Sequence, residues 1–180
     1  MQEGTVLSVS LSGSHSMKKP TVEEIELIEN FGVKGDVHAG ATVKHVYDKK
    51  KNASAPNLRQ VHIIHDELIQ EMCGLNLIVK PGEMGENITC SGLDILSLPT
   101  DTLLHIGTAI LQVRGLRKPC SQLDGVQKGL MKATIGKKSN GDVHFRTGIM
   151  CTVYKSGKIK KGAKISVELP STPHKELEPV

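Results

Sequence analysis

Aromatic side chains are nearly missing from this chain. Its 180 residues include no tryptophan, and Phe31, Tyr47, Phe145 and Tyr154 are the whole aromatic complement. That argues against the stacked-ring platforms that hold single-stranded nucleic acid, and it requires an aliphatic core. Long apolar runs are missing too. No stretch approaches the ~18 residues of a membrane span, and Met1-Gln2-Glu3-Gly4 has neither the basic nor the apolar start of a secretory leader. The expectation is a cytoplasmic protein with no membrane partner. The cysteines Cys73, Cys90, Cys120 and Cys151 lie 17, 30 and 31 residues apart, with no Cys-x-x-Cys or Cys-x-x-His pair. Structural zinc of the finger or ribbon type is therefore not expected, and in a reducing compartment all four should be free thiols. The chain also lacks a Walker loop, a dinucleotide glycine fingerprint and a nucleophile elbow.

The length suits one domain of about 100–200 residues. A net charge of +4 fits an anionic small molecule, or simply a soluble surface, without requiring nucleic acid. Residues 5–11 read as an opening strand. Thr21-Val-Glu-Glu24 has capping-box spacing and predicts a short helix through Ile25, Leu27 and Ile28, stopping at Gly32. Gly32–Gly40 is a glycine-rich loop around Asp36 and His38, residues 43–57 a polar, lysine-bearing loop or lid, and 59–65 a strand. Asp66 is expected to cap a helix over 67–73 that ends at Gly74. Pro81–Thr89 is a second glycine-punctuated turn, and 102–114 read as two strands around Gly107-Thr108. A helix is expected from Ser121 to about Lys132 and a loop over 134–144. The last strands, 148–154 and 163–169, are joined across Ser156-Gly157. The fold class expected is mainly β: a closed or partly open β-barrel with a few short connecting helices, formed by residues 1–169, with 170–180 as a flexible tail.

Cys120 is the most informative thiol. It follows Arg117 and Lys118, Pro119 breaks the strand beside it, and it precedes a predicted helix start. All three features favour the thiolate. The chemistry open to it is that of a nucleophile, a persulfide carrier or a soft metal ligand, with a half-buried structural cysteine as the alternative. Cys73, Cys90 and Cys151 read as packing residues. Lys34, Gly35 and His38 in the first loop, Arg59, the turn from Gly82 to Asn87, and Arg146 near Gly148 are candidates for an anion cradle around Cys120. Glu83 and Glu86, three apart, could act as acid and base or lie on a solvated turn. His62 and His65 fall on opposite faces of one strand, so a shared metal is not expected there, and His105 reads as a satisfied barrel histidine. The lysines between 155 and 164 read as an exposed hairpin in preference to a nucleic-acid face.

Taken in order, Gly32-Val-Lys-Gly-Asp-Val-His-Ala-Gly40, Arg59-Gln-Val, Pro81-Gly-Glu-Met-Gly-Glu-Asn-Ile-Thr89 with Gly92-Leu-Asp94, the strand pair around His105-Ile-Gly107, Arg117-Lys-Pro-Cys120 and Arg146-Thr-Gly148 resemble the MOSC domain family. This is the domain that ends molybdenum cofactor sulfurases and also occurs as small stand-alone proteins. The resemblance implies a β-barrel, a pocket for molybdenum cofactor (molybdopterin), and Cys120 as metal ligand or sulfur carrier. It carries over Lys34, Gly35, Asp36, His38, Arg59, Glu83, Gly85, Asn87, Arg117 and Arg146 as cofactor-binding positions. Some relatives reduce N-hydroxylated compounds, which would make this chain an oxidoreductase. The alternatives are a sulfur or cofactor delivery module that does not turn over alone, and an anion- or RNA-binding barrel. A pyridoxal phosphate association also attaches to the family through the separate N-terminal domain of the sulfurases, but no lysine here is marked as a Schiff-base residue. The chain departs from the family where Val37 replaces a basic residue found in many members. It also lacks the N-terminal barrel that completes the site in larger relatives. The pocket is expected to be closed by the 43–57 loop, closed by a second copy in a homodimer, or left open, with a redox or sulfurtransferase protein as partner.

Overall fold

The computed structural model describes residues 3–44, 52–138 and 141–180. Seven strands form the barrel: β1 (Glu3–Ser10), β5 (Val61–His65), β6 (Ile88–Ser91), β7 (Leu103–Ile106), β8 (Ala109–Leu116), β11 (Ile149–Lys155) and β13 (Lys164–Glu168). Around the wall they run β13-β7-β8-β11-β5-β6-β1, and β1 closes the ring by pairing back onto β13, with Glu3 opposite Ser166 and Thr5 opposite Lys164. Closure leaves no free edge in the ring. Neighbours are antiparallel except β5 and β6, which run parallel with Ile63 opposite Ile88. The loose alternation of the first strand has a structural cause. Its register with β6 slips between Val6 and Ser8, a bulge that returns Val9 to the interior.

The barrel core is aliphatic, built from side chains such as Val6, Val9, Ile63, Ile88, Ile106, Leu111, Val113, Ile149 and Ile165. Phe31 and Tyr154 lie outside it, exposed. A second apolar cluster covers the outer face of β5, where Ile64 packs with Leu68, Met72, Met84, Leu123 and Leu130. Val61-His-Ile-Ile therefore shows no polar–apolar alternation because both faces of that strand are covered.

Several expected elements differ. No helix forms after Thr21. Thr21–Val22 is strand β2, and Glu24–Ile28 is strand β3, with Ile25 and Leu27 buried and the glutamates and Ile28 exposed. The two-residue period of Glu-Ile-Glu-Leu outweighed the capping-box spacing. β3 pairs with β4 (Gly32–Val33) and with β12 (Gly157–Lys160), so Ser156-Gly157 leads into a further strand and does not join the last two strands directly. The helix over 66–74 (α1, Asp66–Gly74) is present, but His65 is its N-cap and Asp66 lies in its first turn. The left-handed residue after it is Asn76, not Gly74. The helix after Ser121 breaks into α2 (Gln122–Val126) and α3 (Leu130–Ala133), separated by Gly129 with φ +92°. The expected 134–144 loop contains a small antiparallel pair, β9 (Ile135–Lys137) and β10 (Val143–Phe145). Cys73, expected to pack inside, is exposed on α1.

Residues 170–180 lie against the barrel. Leu177 is buried, Leu116 N donates to Glu178 O, and Val180 N donates to Leu116 O. The 43–57 segment starts and ends as a paired stem, with Val43 N donating to Ala55 O at 3.0 Å; its centre, 45–51, lies outside the described residues.

Gly148 stands where β11 begins, at φ +85°, and a Cβ there would overlap the carbonyl oxygen of Ile63. Gly148→Ala should therefore destabilise the fold by about 3 kcal/mol, combining left-handed strain with overpacking. Denaturant unfolding should show a lower midpoint at unchanged slope.

Candidate functional site

The two glycine-rich turns are joined by one buried carboxylate. Asp36 follows Gly35, whose φ of +84° directs the chain inward. Its Oδ2 accepts hydrogen bonds from Lys19 Nζ at 2.7 Å, Asn87 Nδ2 at 3.0 Å and Ser12 N at 3.3 Å. Its Oδ1 accepts from His38 N at 3.0 Å, and His38 Nδ1 lies 3.3 Å away. Burial alone would raise this carboxyl, but the bonds from His38 and Lys19 outweigh it and hold Asp36 below the ordinary carboxylate range. Burial likewise pushes the Lys19 ammonium down, with Asp36 opposing.

The second turn is satisfied from within. Glu86, fully buried, accepts from Gly82 N at 2.5 Å, Thr89 Oγ1 at 3.0 Å and Met84 N at 3.2 Å. This is the work of a structural carboxylate, not of a catalytic one. Asn87 clamps three segments: Nδ2 donates to Ser10 O and to Asp36, and Oδ1 accepts from His62 N. The connection from β1 to β2 crosses over this turn. Lys19 N donates to Gly82 O, Lys18 Nζ meets Glu83 at 2.8 Å, and a Cβ on Gly85 would come within 3.1 Å of Met17 Sδ.

From Asn87 the network passes to the thiol. His62 is buried, its Nε2 donating to Thr147 O at 2.7 Å; burial, then the charge of Arg117, push its imidazolium well below the usual histidine range, so it is neutral. Thr147 Oγ1 donates to Arg117 O at 2.7 Å. The guanidinium of Arg117 faces Cys120, and Nη2 also lies 3.8 Å from Met17 Sδ. Nη1 is sealed from solvent and has no hydrogen-bond partner among the described residues. Cys120 is half-buried, and its carbonyl accepts Leu123 N at the start of α2. That helix has only five residues, so Arg117, not a helix dipole, is the chief positive group at the sulfur.

The structure thus gathers Gly35, Asp36, His38, Gly85, Asn87, Arg117 and Cys120 into one linked region. Asp36 and Asn87 serve as its frame. Arg59 stands beside it, its N–H bonded to Asn57 Oδ1 and its charge felt at Arg117. Lys34 turns outward to Glu26 at 2.9 Å, and Glu83 is held by Lys18. Arg146 is claimed elsewhere: both terminal nitrogens bond the carboxylate of Glu71 on α1, with Nη1–Oε1 at 2.9 Å. Sequence reasoning missed Met17, Lys19 and the role of His62. Among the described residues no three His, Cys, Asp or Glu side chains converge to hold a metal ion, so a metal here would rely on Cys120 as its protein sulfur. Of the other thiols, Cys90 and Cys151 are buried, and burial pushes Cys90 up to about 12. His105 pairs across strands with Glu168 at 2.7 Å, and Lys158 of the lysine hairpin with Glu24 at 2.8 Å.

The fold is a closed β-barrel domain in which a half-buried cysteine stands beside a guanidinium with one sealed nitrogen, next to two glycine turns locked by a common carboxylate. The MOSC domain matches the chain over residues 34–166, and the chain belongs to that family. Among solved structures it is similar to the YuaD protein of Bacillus subtilis, with 21% identity and a TM-score of 0.77 over 94% of this chain and 97% of that one. YiiM of Geobacillus stearothermophilus shares 18% identity at TM-score 0.68, over 96% and 79% of the two chains. YiiM of Escherichia coli shares 18% at 0.61, over 95% and 73%. No curated protein matches the chain. No helix among the described residues is long and apolar enough to cross a membrane.

Asp36→Asn would leave Lys19 buried without its counter-charge and should cost about 3–5 kcal/mol. Chemical denaturation should show the loss, and adding Lys19→Met should recover most of it. A second expectation concerns acid. His62, His65 and His144 are all held below the ordinary histidine value, desolvation being the main cause in each. Below about 6.5, where an unfolded histidine takes up its proton, the unfolded chain binds protons that the folded one refuses. Stability should therefore be full above that pH and fall as pH drops through it. Melting temperatures across pH 8 to 5 measure this, and His65→Gln/His144→Gln should flatten the slope.

Proposed function

We propose that the protein binds molybdenum cofactor with Cys120 as the sulfur ligand to the metal, and that it reduces N-hydroxylated compounds. The observation that supports this most is the pairing of a half-buried thiol with a guanidinium whose Nη1 is buried and unpartnered. A buried donor without an acceptor is costly, and an anionic group bound beside Cys120 would relieve it. The residues present fit the cofactor: Cys120 offers the soft sulfur that molybdenum accepts, and Arg117 and Arg59 offer charge to the anionic part of the ligand. When bound, such a group supplies two-electron oxygen-atom chemistry that no side chain here can perform.

The chain's own residues bind and orient. Arg117 fixes an anionic oxygen or sulfur next to Cys120. Met17, on the segment bonded to Asp36 and Gly82, lies against the guanidinium, whose Nη1 is sealed from water. Asp36 and Asn87 hold the turns in register. Turnover calls for a redox partner to deliver electrons. The same half-buried thiol also favours a second reading, in which Cys120 carries a persulfide received from a sulfurtransferase and hands it on.

Metal analysis of protein purified from a host that makes molybdenum cofactor is expected to give near-stoichiometric molybdenum, lost in Cys120→Ser. Molybdenum-free protein carrying a cyanide-labile sulfur that disappears in Cys120→Ser would replace the first reading with the second. Arg117→Gln should weaken cofactor affinity at least tenfold, the loss of one charge-assisted hydrogen bond of about 1.5–3 kcal/mol.

A further inference from the structure

We infer that in the metal-free protein Cys120 is a hydroperoxide-sensitive thiol whose sulfenic acid is held by Arg117. The inference rests on reading Cys120 and Arg117 as one site. Three observations carry it. The Cys120 sulfur is reachable, being half-buried, while Cys90 and Cys151 are enclosed by the barrel. The facing guanidinium has one donor, Nη1, sealed from water with no acceptor among the described residues. The other guanidinium terminus, Nη2, lies 3.8 Å from a thioether, Met17 Sδ, which is a weak acceptor.

The reaction balances with hydrogen peroxide as the named oxidant. The Cys120 thiolate attacks one peroxide oxygen, an S–O bond forms and the O–O bond breaks. Sulfur loses two electrons, the attacked oxygen keeps its hydrogen as S–OH, and the distal oxygen leaves as hydroxide, which is neutralised to water by the proton the thiol released in forming the thiolate. Charge develops on that leaving oxygen, and a preorganised buried N–H donor is the feature that stabilises such charge. Afterwards the sulfenic oxygen supplies the acceptor that Nη1 lacks. Cys90 and Cys151, buried in the barrel, are closed off from the product, which favours a sulfenic acid that persists. The oxygen then occupies the donor that a cofactor or persulfide would use, so oxidation and loading exclude each other.

Cys73 is the internal control. It lies exposed on α1, so accessibility alone would make it the faster thiol. Metal-free protein treated with hydrogen peroxide and trapped with dimedone, then read by peptide mass spectrometry, should label Cys120 several-fold faster than Cys73. Arg117→Gln should bring Cys120 down to the Cys73 rate or below. Equal or faster labelling of Cys73 in the unmutated protein overturns the inference, and so does a Cys120 rate unchanged in Arg117→Gln. The first comparison needs no variant and holds even if Arg117→Gln fails to fold. Near-stoichiometric molybdenum in protein whose Cys73 is the faster thiol would defeat this inference alone. Selective Cys120 labelling in protein that never binds molybdenum would defeat the cofactor reading alone.

Discussion

The ionised carboxylate of Asp36, paired with Lys19 inside the protein, is the interaction on which the rest of the site depends. Two buried opposite charges repay their desolvation only when the remaining lone pairs are also satisfied. Here Asn87 and the backbone of Ser12 and His38 complete the set. These groups come from three separate stretches of chain, so forming the ion pair also fixes the segment after β1, the first glycine turn and the second glycine turn relative to one another. Losing any one of them leaves charge exposed to a low-dielectric interior, which makes their positions mutually dependent.

Against that satisfied centre, Arg117 is the incomplete member. Its guanidinium is pushed down by burial, with the Cys120 sulfur and Glu86 opposing. Yet Glu86 spends its oxygens on Gly82, Met84 and Thr89, and Asp36 is fully committed to its own donors. The neighbouring acceptors are thus used up in building the frame. Neither carboxylate hydrogen-bonds Arg117 among the described residues, and the anion proposed to bind beside the thiol would meet that charge.

Much of the fold could be read from local pattern, because short β-branched runs and glycine turns are local properties. Gly107-Thr108 between two apolar runs gives a hairpin in sequence and in structure. The Thr21–Ile28 segment misled because Thr-x-x-Glu is also compatible with a strand edge, and the deciding contact, β12, lies about 130 residues away. For the site, Cys120 and Arg117 stood out through their neighbours in the chain. Arg146 stood out in the same way, but its acceptor Glu71 is on a distant helix that no spacing rule reaches. Met17 and Lys19 were invisible because Ser14-His-Ser-Met-Lys-Lys has the composition of an ordinary solvated loop, and only tertiary contact turns it into a cover.

Closure of the ring by β1 against β13 joins the first described strand to the last one. Their pairing spans nearly the whole chain, and such long-range contacts are costly in loop entropy and slow to form. During synthesis β1 is made long before β13, so the ring cannot close until the whole stretch between them has emerged. The closed barrel therefore matures late. Anything that binds only the closed barrel would hold the β1–β13 pairing shut from a distance, because opening that seam and releasing the bound molecule become one event.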